Sequence, residues 1–425
     1  MTAPLDHRVL AGHLRSEIFR PPDGRRGPAE RPRIGLELEA VPVERITRRI
    51  APLEGPRGMV QVLRGVSSRR EWSEESVPGA PRFRTPSGDV LSFEPGGQLE
   101  WASRPDHQAD DLLERARADL GEVQAAAGRV EVDLHFVGVD PFTPELDAPL
   151  QVRAPRYLRM DRHFAAIGSW GRRMMRQSAS VHVNLDWTAD SSLQWKVANA
   201  AAPLLTAIFA NSRFHEGRDT GHRSFRAAQW RRLAPGRTGI PDSGEAGAVC
   251  QYLEFALDAP AFLLGAPERP VPFRELLGRE DVGFEEWRDH LTTLFPEVRP
   301  RGYLELRSLD AVSLDHMAAP VALLTGLLYD GTALREAEEL LPPPSNHGLE
   351  LAGRLGLGDP ALAARAGELV TIAMSGAERL PSTLGPGTLE HAHDFFSAFT
   401  LRGMDPGDIG DPSTGWESQS LASDA

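Results

Sequence analysis

Glutamates recur on alternate positions of short apolar runs in this chain. They stand in Ile34-Gly-Leu-Glu37-Leu-Glu39-Ala-Val41, in Phe93-Glu94-Pro-Gly-Gly-Gln98-Leu-Glu100-Trp101 and in Gly302-Tyr-Leu-Glu305-Leu-Arg307-Ser-Leu309. The period of two in a strand puts Glu37 with Glu39, and Glu305 with Arg307, on one face. Glutamate is a poor strand residue. Several carboxylates facing one way from one sheet repel each other unless a cation sits among them. The pattern therefore predicts a sheet with one apolar and one acidic face, the acidic face lined by hard oxygen ligands suited to Mg2+ or Mn2+. For any one glutamate, a solvent-facing strand position explains the residue equally well. Three repeats in apolar settings weaken that explanation for the set, and on pattern alone both readings stay open.

Other polar groups join this face. In Ser180-Val-His182-Val-Asn184-Leu-Asp186 the polar residues alternate with apolar ones, so His182, Asn184 and Asp186 share a side. Arginine forks bind carboxylates and phosphates at two points. The candidates are Arg159, Arg162, Arg172, Arg173, Arg176, Arg226, Arg237, Arg299, Arg301 and Arg307; spacing favours Arg307, which shares a face with Glu305. The turn Glu94-Pro-Gly-Gly-Gln98 lets backbone approach a ligand closely, and a plain hairpin turn accounts for it as well.

Lys196 is the only lysine among 47 basic residues and lies in a helical stretch with no Gly-rich loop before it. Phosphate binding then falls to arginine, metal and backbone amides. No GxSxG, HExxH, CxxC or full GxGxxG pattern occurs. The single cysteine, Cys250, excludes an internal disulfide and reads as a core thiol of a helix. A formal charge of -13 disfavours nucleic acid as a partner. No apolar run approaches the roughly 20 residues a membrane span needs. The N-terminal stretch lacks a signal-peptide core, and a cytoplasmic protein is expected.

Along the chain, residues 1–30 read as a short helix and a Pro/Gly/Arg-rich link. Residues 31–402 read as one catalytic domain, and 403–425 as a disordered tail. Strands are expected at 33–42, 59–64, 90–93, 98–102, 130–139 and 178–186. Helices are expected at 110–127, 157–171, 191–211, 246–257, 283–292, 315–340 and 348–379, with loops over 212–245. Strands scattered among helices without regular βαβ alternation predict an α+β fold, one antiparallel sheet covered by helices on one face.

The ordered segments resemble the glutamate–cysteine ligase family, particularly its plant and bacterial branch. The stretches that carry the resemblance are Ile34–Glu39, Phe93–Glu100, Met174–Asp186, Ile208–Ser212, Ser224-Phe-Arg-Ala-Ala-Gln-Trp230, Arg237-Thr-Gly239, Phe255–Pro260, Phe295–Arg307 and Gly326–Asp330, in family order over about residues 30–335. The resemblance implies an antiparallel, about six-stranded, cup-shaped sheet of the glutamine synthetase-like carboxylate–amine ligase fold. It implies ATP-dependent joining of the glutamate γ-carboxylate to the amine of L-cysteine through γ-glutamyl phosphate, with Mg2+ (or Mn2+), for glutathione or ergothioneine synthesis. The family's metal ligands correspond to Glu37, Glu39, Glu94, Glu100 and Glu305, with His182 as a further candidate. Arg226 and Trp230 match residues that hold the glutamate substrate; Ser180, Asn184, Arg299 and Arg301 are expected beside them, and Arg307 and Arg176 are expected to stabilise the transferring phosphoryl group. The stretches 140–156 and 212–245 are expected to act as lids. With one cysteine, the intramolecular redox switch of plant members has no counterpart. Two alternatives remain: another amine acceptor, or a catalytically silent binding protein of the same fold. Removing Glu37 or Glu305 is expected to abolish turnover without lowering stability, because it relieves repulsion.

Overall fold

Leucine and valine alternate with the glutamates, and burying that side folds the sheet. The computed structural model describes residues 5–20, 31–234, 236–241, 246–265 and 269–408. In it Leu36, Leu38, Leu99, Trp101, Val181, Val183, Leu185, Leu304 and Leu306 have no exposed surface. Burying such a side chain stabilises by about 1.5–3 kcal/mol, and nine of them on one face outweigh the poor strand propensity of the glutamates between them.

The strands are β1 (Ile34–Glu44), β2 (Ser73–Glu75), β3 (Arg82–Arg84), β4 (Val90–Phe93), β5 (Leu99–Ala102), β6 (Val132–His135), β7 (Ser180–Asp186), β8 (Phe214–His215), β9 (Arg218–Asp219), β10 (Thr238–Gly239), β11 (Phe295–Pro296), β12 (Val298–Pro300) and β13 (Tyr303–Asp310). Nine of them form the main sheet in the order β12-β13-β7-β1-β5-β4-β3-β2, with β6 paired to the far half of β1. Its pairs are antiparallel. The six strands from β12 to β4 are the expected sheet; two three-residue edge strands and β6 extend it. The helices Ser191–Ile208 and Ala318–Tyr329 pack on its apolar side, against β13 and β7 respectively. The helix Ala109–Gly128 packs beside β6 and accepts the Trp101 indole N–H on Asp119 at 3.1 Å.

Several local expectations needed correction. Residues 59–64, read as a strand, open a helix, Met59–Arg70, whose buried Met59, Val60, Val62, Leu63 and Val66 follow helical spacing. A short apolar run does not distinguish the two. The stretch 212–245 holds a helix, Phe225–Leu233, capped by the Ser224 hydroxyl on the Ala227 N–H. The helical stretch from 157 breaks at Gly168, whose φ of 122° no L side chain adopts readily, and restarts as Ser169–Gln177. A further helix, Pro386–Ala398, was not foreseen. Cys250 is on a helix but exposed, so it is not a core thiol. Residues 403–408, assigned to the tail, are held in place: Asp405 is buried and Asp408 pairs with Arg223. The link at 21–30 and the tail from 409 lie outside the described residues.

The Glu94-Pro-Gly-Gly-Gln98 turn, expected to approach a ligand, closely approaches the chain's own backbone at Arg176. A Cβ on Gly96 would sit 2.0 Å from the Arg176 carbonyl oxygen, and Gly97 has a φ of 93°. Gly96→Ala is expected to destabilise the fold by about 1–3 kcal/mol, the usual cost of overpacking, measured by urea denaturation. An unchanged midpoint would show that the turn swings clear of Arg176.

Candidate active site

Register brings together the glutamates of three strands, and Glu94 joins them from the turn after β4. Glu37 on β1 stands opposite His182 on β7, and Glu39 opposite Glu100 on β5. Glu305 on β13 stands opposite Asn184 on β7 and Arg299 on β12. Directly opposed residues point to the same side of a sheet, so all face one way. They sort into two clusters, Glu37–His182–Glu305 and Glu39–Glu94–Glu100, in each of which one ligand atom per residue lies within 4.8 Å of the others.

The first cluster is neutralised by its own chain. Arg299 grips Glu305 with two hydrogen bonds, from Nε at 2.5 Å and Nη2 at 2.7 Å, and Arg307 Nη1 adds a third at 3.0 Å. Burial pushes the Glu305 carboxyl up, but the two guanidinium groups outweigh it and hold Glu305 well below the ordinary carboxylate range. Glu37 accepts from Asn184 Nδ2 at 3.1 Å and contacts His182 Nδ1 at 2.9 Å. Burial raises Glu37, yet those bonds bring its net shift downward. Burial first, then the Arg307 charge, lowers the His182 pKa, which favours the neutral imidazole that metals bind. Glu305 has both oxygens hydrogen-bonded to arginine, two donors on Oε1 and one on Oε2, so a cation there would share the carboxylate with Arg299 and Arg307.

The second cluster is not neutralised. Among the described residues Glu39, Glu94 and Glu100 make no ion pair. Glu39 accepts the Ser180 N–H at 2.7 Å and its hydroxyl at 3.1 Å, and Glu100 accepts the Ser92 hydroxyl at 2.9 Å. Burial, with the neighbouring carboxylates, raises Glu39 and Glu100 to about 8 and Glu94 to about 7. Three converging, uncompensated carboxylate oxygens are the donor set that a hard divalent cation prefers. These residues fit Mg2+ or Mn2+.

The remaining predicted residues divide. Arg226, fully enclosed, donates from Nη2 to the Arg307 carbonyl at 2.8 Å. The guanidinium groups of Arg226 and Arg307 each lie 5.8 Å from the Trp230 ring centre. This places Arg226, Trp230 and Arg307 together beside Glu305. Ser180 and Asn184 orient Glu39 and Glu37. Arg301 is half-exposed, 4.0 Å from Glu305. Arg176 does not join them. Its guanidinium is held by Asp161 at 2.5 Å and by the Ala148 carbonyl at 2.9 Å. These partners tie it to the helix before it and to the 140–156 stretch, and no hydrogen bond or ion pair among the described residues joins its side chain to the glutamate clusters.

Two residues went unnoticed in the sequence. Arg156 and Tyr157 open the helix Pro155–Ile167. The Glu94 charge is the first cause, and burial the second, of the raised Tyr157 pKa, and the Arg156 charge partly offsets the rise in Glu94. Neither residue lies on a strand, so period-two reasoning passes over both.

A sequence model described as glutamate–cysteine ligase family 2 matches residues 33–385. The chloroplastic glutamate–cysteine ligase of Arabidopsis thaliana is 30% identical over 325 residues, covering 72% of this chain and 61% of its own length. Chloroplastic glutamate–cysteine ligase B of Oryza sativa subsp. japonica is 28% identical over 374 residues, 83% of this chain and 72% of its own length. This chain thus spans less than two thirds of the Arabidopsis protein. Among solved structures, the glutamate–cysteine ligase of Francisella tularensis in complex with AMP aligns with a TM-score of 0.51 at 13% identity, over 89% of this chain and 83% of that one. At that identity the likeness is one of fold. With the match spanning most of its length, the chain belongs to glutamate–cysteine ligase family 2.

Proposed function

We propose that this chain joins the γ-carboxylate of glutamate to the amine of L-cysteine at the expense of ATP, through γ-glutamyl phosphate. Family membership supports the reaction class, and the uncompensated Glu39–Glu94–Glu100 cluster is the observation that carries it here. A ligase without a phosphate-loop lysine needs another positive centre for the ATP phosphates, and Glu39, Glu94 and Glu100 would hold Mg2+ for that purpose. A bound cation would screen the phosphate charge and polarise the transferring group. Glu37 and His182 form a second holding point.

The chain's own residues supply the rest. Arg226 is assigned to the glutamate substrate, with Trp230 beside it and beside Arg307. Arg307 and Arg299 stand where charge develops on the phosphoryl group, and their preorganised N–H groups stabilise it. Both donate hydrogen bonds to Glu305. An arriving phosphate offers them a competing anion, and Glu305 is thereby released toward His182 Nδ1, already 3.9 Å away. The acyl phosphate must then be kept from water until the amine attacks. Residues 140–156 are the proposed cover. Gln151 already bridges that stretch to the Gly96 carbonyl at 2.7 Å. A cytoplasmic setting and a product feeding glutathione or ergothioneine synthesis belong to the same proposal. No helix among the described residues is long and apolar enough to cross a membrane.

A coupled ADP-release assay with glutamate, Mg2+ and a panel of amines tests the reaction. Cysteine is expected to give the highest kcat/KM; absence of ADP release with every amine would sink the ligase reading.

The two clusters predict opposite stability effects. Glu100→Gln is expected to cut turnover by roughly two orders of magnitude, the scale of one preorganised electrostatic group. At pH above about 8, where the cluster is ionised and its repulsion is lost in the variant, it is expected to raise the metal-free thermal midpoint. Glu305→Ala also abolishes turnover, but strands Arg299 and Arg307 and is expected to cost about 3–5 kcal/mol. This replaces the sequence expectation that losing Glu305 spares stability. Equal midpoints in the two variants would refute the division.

The pH dependence follows from the raised carboxyl groups. Their pKa is above the ordinary value of 4.5, so their protonated forms stabilise the fold fully at acid pH. That contribution is lost as pH rises through about 7 to about 8. The metal-free midpoint is therefore expected to fall between about pH 5 and pH 8, and saturating Mg2+ to flatten the fall. Differential scanning fluorimetry with and without Mg2+ reads both; a flat metal-free profile would contradict the cluster's electrostatics.

A further inference from the structure

We infer that Asp310 is the positioning residue for Arg226, anchoring both ends of the 212–224 loop to the last residue of β13. This rests on the ligase reading above, in which Arg226 receives the glutamate substrate.

Asp310 is 1% exposed. Its Oδ2 accepts the Asn211 N–H at 2.8 Å and the Ser212 hydroxyl at 2.6 Å, and its Oδ1 accepts the Ser224 hydroxyl at 2.9 Å. These donors flank the loop that carries β8 and β9. Each hydroxyl also passes the restraint on. Ser212 Oγ accepts the Arg226 N–H at 3.1 Å, and Ser224 Oγ caps the helix by accepting the Ala227 N–H at 3.1 Å. One carboxylate thus fixes, through two serines, the backbone on either side of the Arg226 Cα. It also lies 3.8 Å from Arg226 Nη1, while Nη2 is held by the Arg307 carbonyl. The guanidinium is therefore held at two points on β13.

The surroundings leave room for this contact and little else. A Cβ on Gly138 would lie 2.4 Å from the Asp310 Cγ, so a side chain there would expel the carboxylate. Charge agrees with the geometry. Of the two arginines flanking Trp230, Arg307 is balanced by Glu305 and Arg226 by Asp310. A buried carboxylate with three donors and a nearby guanidinium is satisfied without solvent.

A residue that only held the fold together would, when removed, lower the thermal midpoint and affect both substrates alike. A positioning residue for Arg226 affects glutamate selectively. Asp310→Ala is expected to raise KM for glutamate by about tenfold or more, since small misplacements of a binding group carry penalties of that order. KM for ATP should stay within about twofold of wild type. Asp310→Asn, whose amide keeps the shape and can donate to Ser224 Oγ, is expected to recover most of the glutamate affinity. If Asp310→Ala fails to fold, the double variant Ser212→Ala/Ser224→Ala decides, and should shift glutamate KM in the same direction. Glutamate titration calorimetry on the same proteins provides an arm independent of turnover. Unchanged glutamate binding in a folded Asp310→Ala or double-serine variant overturns the inference, as does an equal rise in both KM values. A wild-type protein that neither binds glutamate nor releases ADP would sink the ligase reading, and this inference with it.

Discussion

Mutual repulsion among five carboxylates on one side of one sheet, two buried and three partly buried, is the constraint to which the rest of the site responds. The apolar side of β1, β5, β7 and β13 fixes where Glu37, Glu39, Glu100 and Glu305 must point, because a slip of one residue would exchange core and site across the sheet. The glutamates therefore cannot rotate away to solvent, and their charge has to be met where it stands. The chain meets it in two ways. Around Glu305 and Glu37 it supplies Arg299, Arg307, His182 and Asn184. Around Glu39, Glu94 and Glu100 it supplies two serines and no cation within ion-pair reach among the described residues.

This asymmetry gives the site a direction. The arginine-rich half is prepared for an anion and already holds one of its own as a placeholder. The serine-lined half offers three carboxyl groups to a cation. A substrate that carried both an anionic phosphate chain and associated divalent cations would satisfy both halves at once, which is the physical basis for proposing ATP on this side of the sheet.

The faces of the sheet were legible in the sequence because period-two alternation is a local property. Leu36, Leu38, Val181 and Val183 alternate with Glu37, Glu39, Ser180 and His182, and no tertiary knowledge is needed to sort them. What alternation cannot give is which partner reaches across. Arg299 looked like one arginine among ten until β12 paired with β13 and set it opposite Glu305. Arg176 looked equally suitable, but Asp161, on the preceding helix, holds its guanidinium. The run at 59–64 failed for the opposite reason: four apolar residues satisfy a strand and a helix alike, and only packing chooses between them.

Asp310 illustrates a deeper limit. It lies five residues after Glu305, an odd spacing, so regular alternation assigns it to the opposite, apolar face. Yet Glu305 pairs with Asn184 and Asp310 with Ser180, two residues on the same face of β7. The parity changes because β13 carries a register shift between Leu306 and Leu309. A bulge inserts one residue into a strand and re-aims the side chains beyond it. Through that single irregularity one strand presents two acids to the same side, one for Arg299 and Arg307, the other for Arg226. Without it Asp310 would point into the leucine core, and the 212–224 loop would lose the carboxylate that ties it to the sheet.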